Sequence, residues 1–193
     1  MDQKLSSKIP CQNYYFLPDE KNRHPFSHLL KQQILQLKKA EETLILLCVG
    51  TDKITGDCLG PLVGTKLIER NYSYPLYGTL ENPVHGMNLS SVLPELQYLY
   101  PSPFFLVVDA ALGPAQKIGY VSLSCSPLTP GKGIRRNLPS IGNISITGIV
   151  GESGRNSEWE LPYTRLYLVN TLADYICDGI LGSFTLPKNC HNK

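Results

Sequence analysis

The sequence has no excess of either charge: 18 Lys and Arg stand against 16 Asp and Glu, a formal net charge of +2. Proteins that hold nucleic acid or an anionic membrane by electrostatics carry a basic surplus, so neither is expected as a partner. No apolar run approaches the ~20 residues of a membrane helix. The opening residues MDQKLSSKIPCQNYYF contain no apolar signal-peptide core. A cytoplasmic chain is the expectation. None of the six cysteines, Cys11, Cys48, Cys58, Cys125, Cys177 and Cys190, forms a CxxC pair, and the four histidines are not spaced with them as ligands. That argues against a zinc cluster and for reduced thiols. Neither GxGxxG nor GxxxxGK followed by Ser or Thr occurs, which removes the dinucleotide fingerprint and the phosphate loop.

What the chain does contain is centred on Leu44 to Gly64, LILLCVGTDKITGDCLGPLVG. The apolar run Leu44 to Val49 suits a strand covered on both faces. Gly50 to Asp57 is turn chemistry, and from Cys58 the apolar residues Leu59, Leu62, Val63 and Leu67 return at helical spacing. Gly60 and Gly64 fall on one face of that helix, a smooth surface for close packing on a sheet. A second apolar run, Phe104 to Val108, also leads into an acid, Asp109.

The remaining pattern places a first helix over Pro25 to Lys39, with Ser27 or Pro25 at its start, and a short strand over Tyr74 to Leu80. A helix from Asn88 to Leu99 follows, interrupted by Pro94. Tyr120 to Cys125 alternates apolar and polar residues, as an edge strand would, and Ile144 to Val150 alternates again. Pro127 to Gly142 is loop, and Leu161 to Ile180 is a long helix ended by Gly182. The order predicts a single α/β domain over residues 25–182. It is a three-layer α/β/α sandwich with a mostly parallel five-stranded sheet. Residues 1–24 read as a flexible arm and 183–193 as a tail.

Ligands of open α/β sheets bind outside the carboxyl ends of the strands. If the first and third strands are neighbours, Asp57 and Asp109 meet there. Paired carboxylates share a proton, activate water or hold a divalent cation. Against this, an aspartate before a helix is also a common N-cap. Asp52 lies in the same loop, and His85 follows the second strand. Cys58 stands near a helix N-terminus, a position that lowers a thiol pKa. Lys132, Arg135 and Arg136 form a small basic cluster in the glycine-rich loop.

Four stretches in order, GTDKITGDCLGPLVG, GTLENPVHGMNL, VVDAALG and PGKG with LPSIGNISITGIV, resemble the motifs of the YyaC family of spore proteins from endospore-forming bacteria. The resemblance runs from about Leu44 to Ile180. That family is similar to the spore germination protease, which cuts the small acid-soluble proteins coating spore DNA, and more distantly to the hydrogenase maturation endopeptidases. The resemblance implies a phosphorylase/hydrolase-like α/β/α fold and a pair of catalytic aspartates. TGDCLGP puts one role on Asp57 and VVDAALG the other on Asp109. The histidine that holds metal in the hydrogenase endopeptidases comes after the second acid. Here no histidine follows Asp109 until His191, so His85 does not take that place.

The resulting expectation is a sporulation-associated endopeptidase, in the sporulating cell or spore, acting on a protein or peptide without a cofactor. Asp57 and Asp109 are its catalytic pair, and Asp52, His85, Lys132 and Arg135 support the substrate. Two alternatives share the same residues. One is a binding or regulatory protein on the same fold. The other is a hydrolase holding a divalent metal through Asp57, Asp109 and His85.

Overall fold

A computed structural model describes residues 12–129, 140–154 and 157–184. The strands are β1 (Tyr14–Phe16), β2 (Thr43–Cys48), β3 (Leu76–Tyr77), β4 (Pro103–Gly113), β5 (Val121–Ser124) and β6 (Ile144–Glu152). The helices are α1 (Glu20–Leu37), α2 (Leu59–Glu69), α3 (Leu89–Leu99), α4 (Ser157–Tyr163) and α5 (Leu166–Phe184). The six strands form one sheet in the order β1-β5-β6-β4-β2-β3. β3, β2, β4 and β6 are parallel, and β5 is antiparallel to both β6 and β1.

The sheet divides the core in two. Alternate residues of the central strands, Leu44, Leu46 and Cys48 with Phe104, Leu106 and Val108, pack against α1, α2 and α5. The intervening residues Ile45, Leu47, Val49, Phe105 and Val107 pack with Leu89 and Leu96 of α3. Near-continuous apolar runs are what a strand buried on both faces requires. The three-layer α/β sandwich read from the sequence is therefore the observed architecture.

Several boundaries differ from the sequence reading, each for a local reason. Among the described residues the sheet has six strands rather than five, because Tyr14–Phe16 of the supposed flexible arm pairs with β5. α1 starts at Glu20, not Pro25: Asp19 is extended and its Oδ1 accepts from the Asn22 amide at 2.8 Å, a side-chain N-cap. Ser27 does not cap; its hydroxyl donates to the His24 carbonyl one turn back. β5 is not an edge strand, since β1 covers it. Its polar residues Ser122 and Ser124 are buried all the same. The second strand shrinks to Leu76–Tyr77. The final helix is two helices, α4 and α5, with a break at Thr164, and Gly182 lies inside α5. Of the predicted tail, Ser183 and Phe184 are helical and the rest lies outside the described residues.

Gly60 and Gly64 face the sheet as the smooth-face reading expects. A Cβ on Gly60 would meet the Val49 backbone, and one on Gly64 the Gly78 carbonyl. This closeness lets α2 begin directly above the end of β2.

Candidate active site

Asp57 is held in a single 3-10 turn, Gly56–Cys58, between β2 and α2. The chain leaves β2 through Gly50, whose φ of +140° is open to glycine but rarely to an L side chain. A Cβ there would also strike the Asp57 carbonyl. The sharp exit folds the loop back so that Thr51 faces Asp57. The Thr51 amide donates to Asp57 Oδ2 at 3.0 Å and to the Asp57 carbonyl at 3.1 Å. The carboxylate therefore grips its own loop and does not cap α2, which has no side-chain cap at Cys58.

Asp109 is not at a strand end. β4 continues four residues past it to Gly113, and Asp109 pairs in register with Thr147 of β6. It follows Phe105 and Val107 on the α3 side of the sheet, at the point where that layer gives way to a cavity. Only 7% of it is exposed, and its Oδ1 accepts from the Ala110 amide at 2.8 Å.

Asp57 and Asp109 line one cavity of about 460 Å³. Ala110, Ala111 and Leu112 of β4 and Thr147 of β6 line it from the sheet. Pro127 to Thr129, Ser153 and Gly154, and Ser157 and Leu161 of α4 form its walls. Burial pushes the Asp109 carboxyl well above the ordinary aspartate value of 3.8, and the neighbouring charge of Asp57 pushes the same way; the Ala110 amide opposes them. Asp57 is also raised, first by burial, but the Thr51 amide and His85 pull it back. The two carboxyls thus have unequal surroundings: one is buried and aggravated by its neighbour, the other is half-buried and relieved by a donor and a histidine. That is the arrangement in which one acid keeps a proton while the other ionises.

The other expected site residues are dispersed. Val84 bridges Val49, and the Gly50 amide donates to the Val84 carbonyl, so His85 does stand at the carboxyl end of the sheet. His85 lines a different cleft, of about 710 Å³, beside Tyr77, Glu81 and Asn88, and reaches Asp57 only electrostatically. Its Nδ1 accepts from the Met87 amide at 3.3 Å. Asp52 is exposed and does not line the cavity. Lys132, Arg135 and Arg136 lie outside the described residues.

Cys58 is turned into the core with 7% exposure, and its thiol donates to the Thr55 carbonyl at 3.0 Å. Burial and the charge of Asp57 push that thiol up, opposite to the lowering expected at a helix N-terminus. The metal trio is not assembled: among the described residues no three His, Cys, Asp or Glu side chains group as ligands.

Sequence reading missed Thr147, Ser153 and Ser157, whose residues complete the cavity lining. Thr147 carried a signal, its polar position in an alternating strand. Using it required knowing that β6 lies beside β4.

The family model described as Protein of unknown function (DUF1256) matches residues 14–179. The chain belongs to this family. It is 39% identical over 144 residues to a protein of Bacillus subtilis (strain 168) entitled Uncharacterized protein YyaC, covering 74% of this chain and 70% of that one. Among solved structures it resembles the [NiFe] hydrogenase maturation protease HycI from Thermococcus kodakarensis KOD1, with a TM-score of 0.50 and 14% identity. That match covers 79% of this chain and 99% of HycI. At this identity the DUF1256 chain shares a fold with the protease, and a fold alone does not fix an activity. Among the described residues no helix is long and apolar enough to cross a membrane.

Proposed function

We propose that this chain is an endopeptidase of the germination-protease type in which Asp57 and Asp109 activate a water against a peptide carbonyl. The observation that carries the reading is one cavity lined by two carboxyls of unequal burial, both raised above the usual aspartate range. The likeness to a maturation protease supports a scaffold suited to this chemistry.

In this mechanism Asp109 enters protonated and Asp57 ionised. Asp57 takes a proton from the water as its oxygen adds to the carbonyl carbon, while Asp109 donates to the carbonyl oxygen. Collapse of the tetrahedral species breaks the C–N bond, delivers a proton to the leaving nitrogen and returns one shared proton to the pair. The Thr51 amide holds Asp57 in its ionised form at the start of the cycle. No cofactor enters these steps. The substrate in this reading is a protein of the sporulating cell or spore, met in the cytoplasm.

The test is cleavage of small acid-soluble spore proteins and of a sporulating-cell lysate, with new peptide termini read by mass spectrometry. Asp57→Asn and Asp109→Asn are each expected to lower the rate by about 10²–10⁴-fold, and a chelator to leave it unchanged. Loss of activity on chelation would replace the two-aspartate mechanism with a metal-dependent one. No new termini from the folded, unmutated protein would favour a binding protein on the same fold.

A further inference from the structure

β4 outruns one of its two neighbours. Its ladder with β6 continues to the Gly113–Glu152 pair, but its ladder with β2 stops at Cys48–Val108. Beyond that, β2 has turned away at Gly50 to form the loop that carries Asp57.

Main-chain direction alternates along β4. The Phe105 amide and carbonyl bond Asn143 on the β6 side, and the Gly113 carbonyl accepts from Ser153 on that same side. The Val108 carbonyl accepts from Val49 on the β2 side. By this alternation Ala110 and Leu112 turn their main-chain groups toward the side that β2 has left. The Ala110 amide is taken by Asp109 Oδ1. The Ala110 carbonyl and the Leu112 amide and carbonyl remain along an edge where, among the described residues, no strand pairs. Ala110, Ala111 and Leu112 are part-exposed and line the same cavity as the two aspartates.

We propose that the β4 edge from Ala110 to Leu112 binds an extended segment of another polypeptide as an added strand. Only an extended backbone offers amides and carbonyls at the strand repeat of about 3.3 Å; a helix has bonded its own internally. A second copy of this chain is a poor occupant. Its outer strands β1 and β3 have three and two residues, and each is part of a whole sheet that a cavity of about 460 Å³ does not admit. The small side chains of Ala110 and Ala111 leave room beside the edge. An added strand here runs next to Asp57 and Asp109, so the inference deepens the peptidase reading and rests on it for the cleavage step. It assigns the substrate class as unfolded or locally extended protein, held through its backbone and only weakly selected by sequence.

The test reads the Leu112 amide directly. Hydrogen exchange is followed by NMR in the full chain carrying Asp57→Asn, with reduced, carboxymethylated α-lactalbumin as an unfolded probe and native α-lactalbumin as the folded control. Exchange at Leu112 is expected to slow roughly tenfold or more with the unfolded form and to stay unchanged with the native form. In a second arm, Leu112→Pro removes the donor at an outward-facing edge position. Affinity for the unfolded probe is expected to fall roughly tenfold. Unchanged exchange at Leu112, whether the probe binds elsewhere or not at all, overturns the proposal and does not depend on how the proline variant folds. New peptide termini are scored separately in the unmutated protein. Protection at Leu112 without cleavage keeps the docking edge and overturns the peptidase reading alone. Cleavage without protection does the reverse.

Discussion

At the residue scale, the consequential fact is the burial of Asp109. Its folded carboxyl holds a proton above the ordinary value of 3.8, because burial and Asp57 both disfavour the charge. Between the unfolded and folded values the native state therefore binds more protons than the unfolded one. Linkage sets the sign: this contribution to stability is complete below the unfolded value and is lost as pH rises through the folded value. Urea midpoints across a pH series should fall less steeply in Asp109→Asn than in the unmutated chain. An identical slope would mean the carboxyl is not perturbed. The Gly50 position is the second sensitive point. Gly50→Ala forces a side chain into a φ of +140° and against the Asp57 carbonyl. Urea unfolding is expected to show a loss of about 1–3 kcal/mol. Both acids were legible: Asp109 directly follows an apolar run, and Asp57 ends the polar loop that joins such a run to a helix. The burial of Asp109 was not, because an acid after apolar residues looks the same whether the strand stops or, as here, continues to Gly113.

At the element scale, the described part of the arm read as flexible belongs to the sheet and to the helical layer. Phe16 of β1 packs on Phe26 of α1 at 5.2 Å between ring centroids, and Phe26 meets Tyr175 of α5 at 5.3 Å. The Tyr175 hydroxyl donates to the Asn22 carbonyl at 2.7 Å. Removing residues 1–24 deletes β1, the Asp19 cap and the start of α1. It should lower stability by about 2–4 kcal/mol in urea titration, whereas an idle arm would leave the midpoint in place. Phe26→Ala, at a fully buried position, should cost about 3–5 kcal/mol in the same assay. The long elements α2, α3 and α5 were legible because their apolar period is sustained. β1 was not, because three residues carry too little period to separate strand from coil. The buried serines of β5 misled for a related reason. A polar strand face suggests an edge, yet here the Ser124 and Ser126 hydroxyls bond each other at 2.7 Å and Ser145 Oγ donates to the Ser126 carbonyl. For Ser124 an internal hydrogen bond makes a polar side chain tolerable inside the sheet.

At the scale of the whole molecule, a mostly parallel sheet with helices on both faces leaves the carboxyl end of its parallel strands open, and residues distant in the chain converge there. Strand order decides which ones. Because β2 and β4 are adjacent, Asp57 and Asp109 share a cavity; because β3 lies on the outer side of β2, His85 faces another cleft. Sequence supplied the two carboxylates; the order of strands sets His85 apart from them, and Asp52 is set apart within its own loop, which leaves it exposed. The mutual influence of the two acids is read by titrating the carboxyl carbons of Asp57 and Asp109 by NMR, in the unmutated chain and in Asp57→Asn. Asp109 is expected to titrate well above the ordinary aspartate value and above Asp57, and Asp57→Asn to move it down. Titration of both near 3.8, or an Asp109 indifferent to the loss of Asp57, would contradict it.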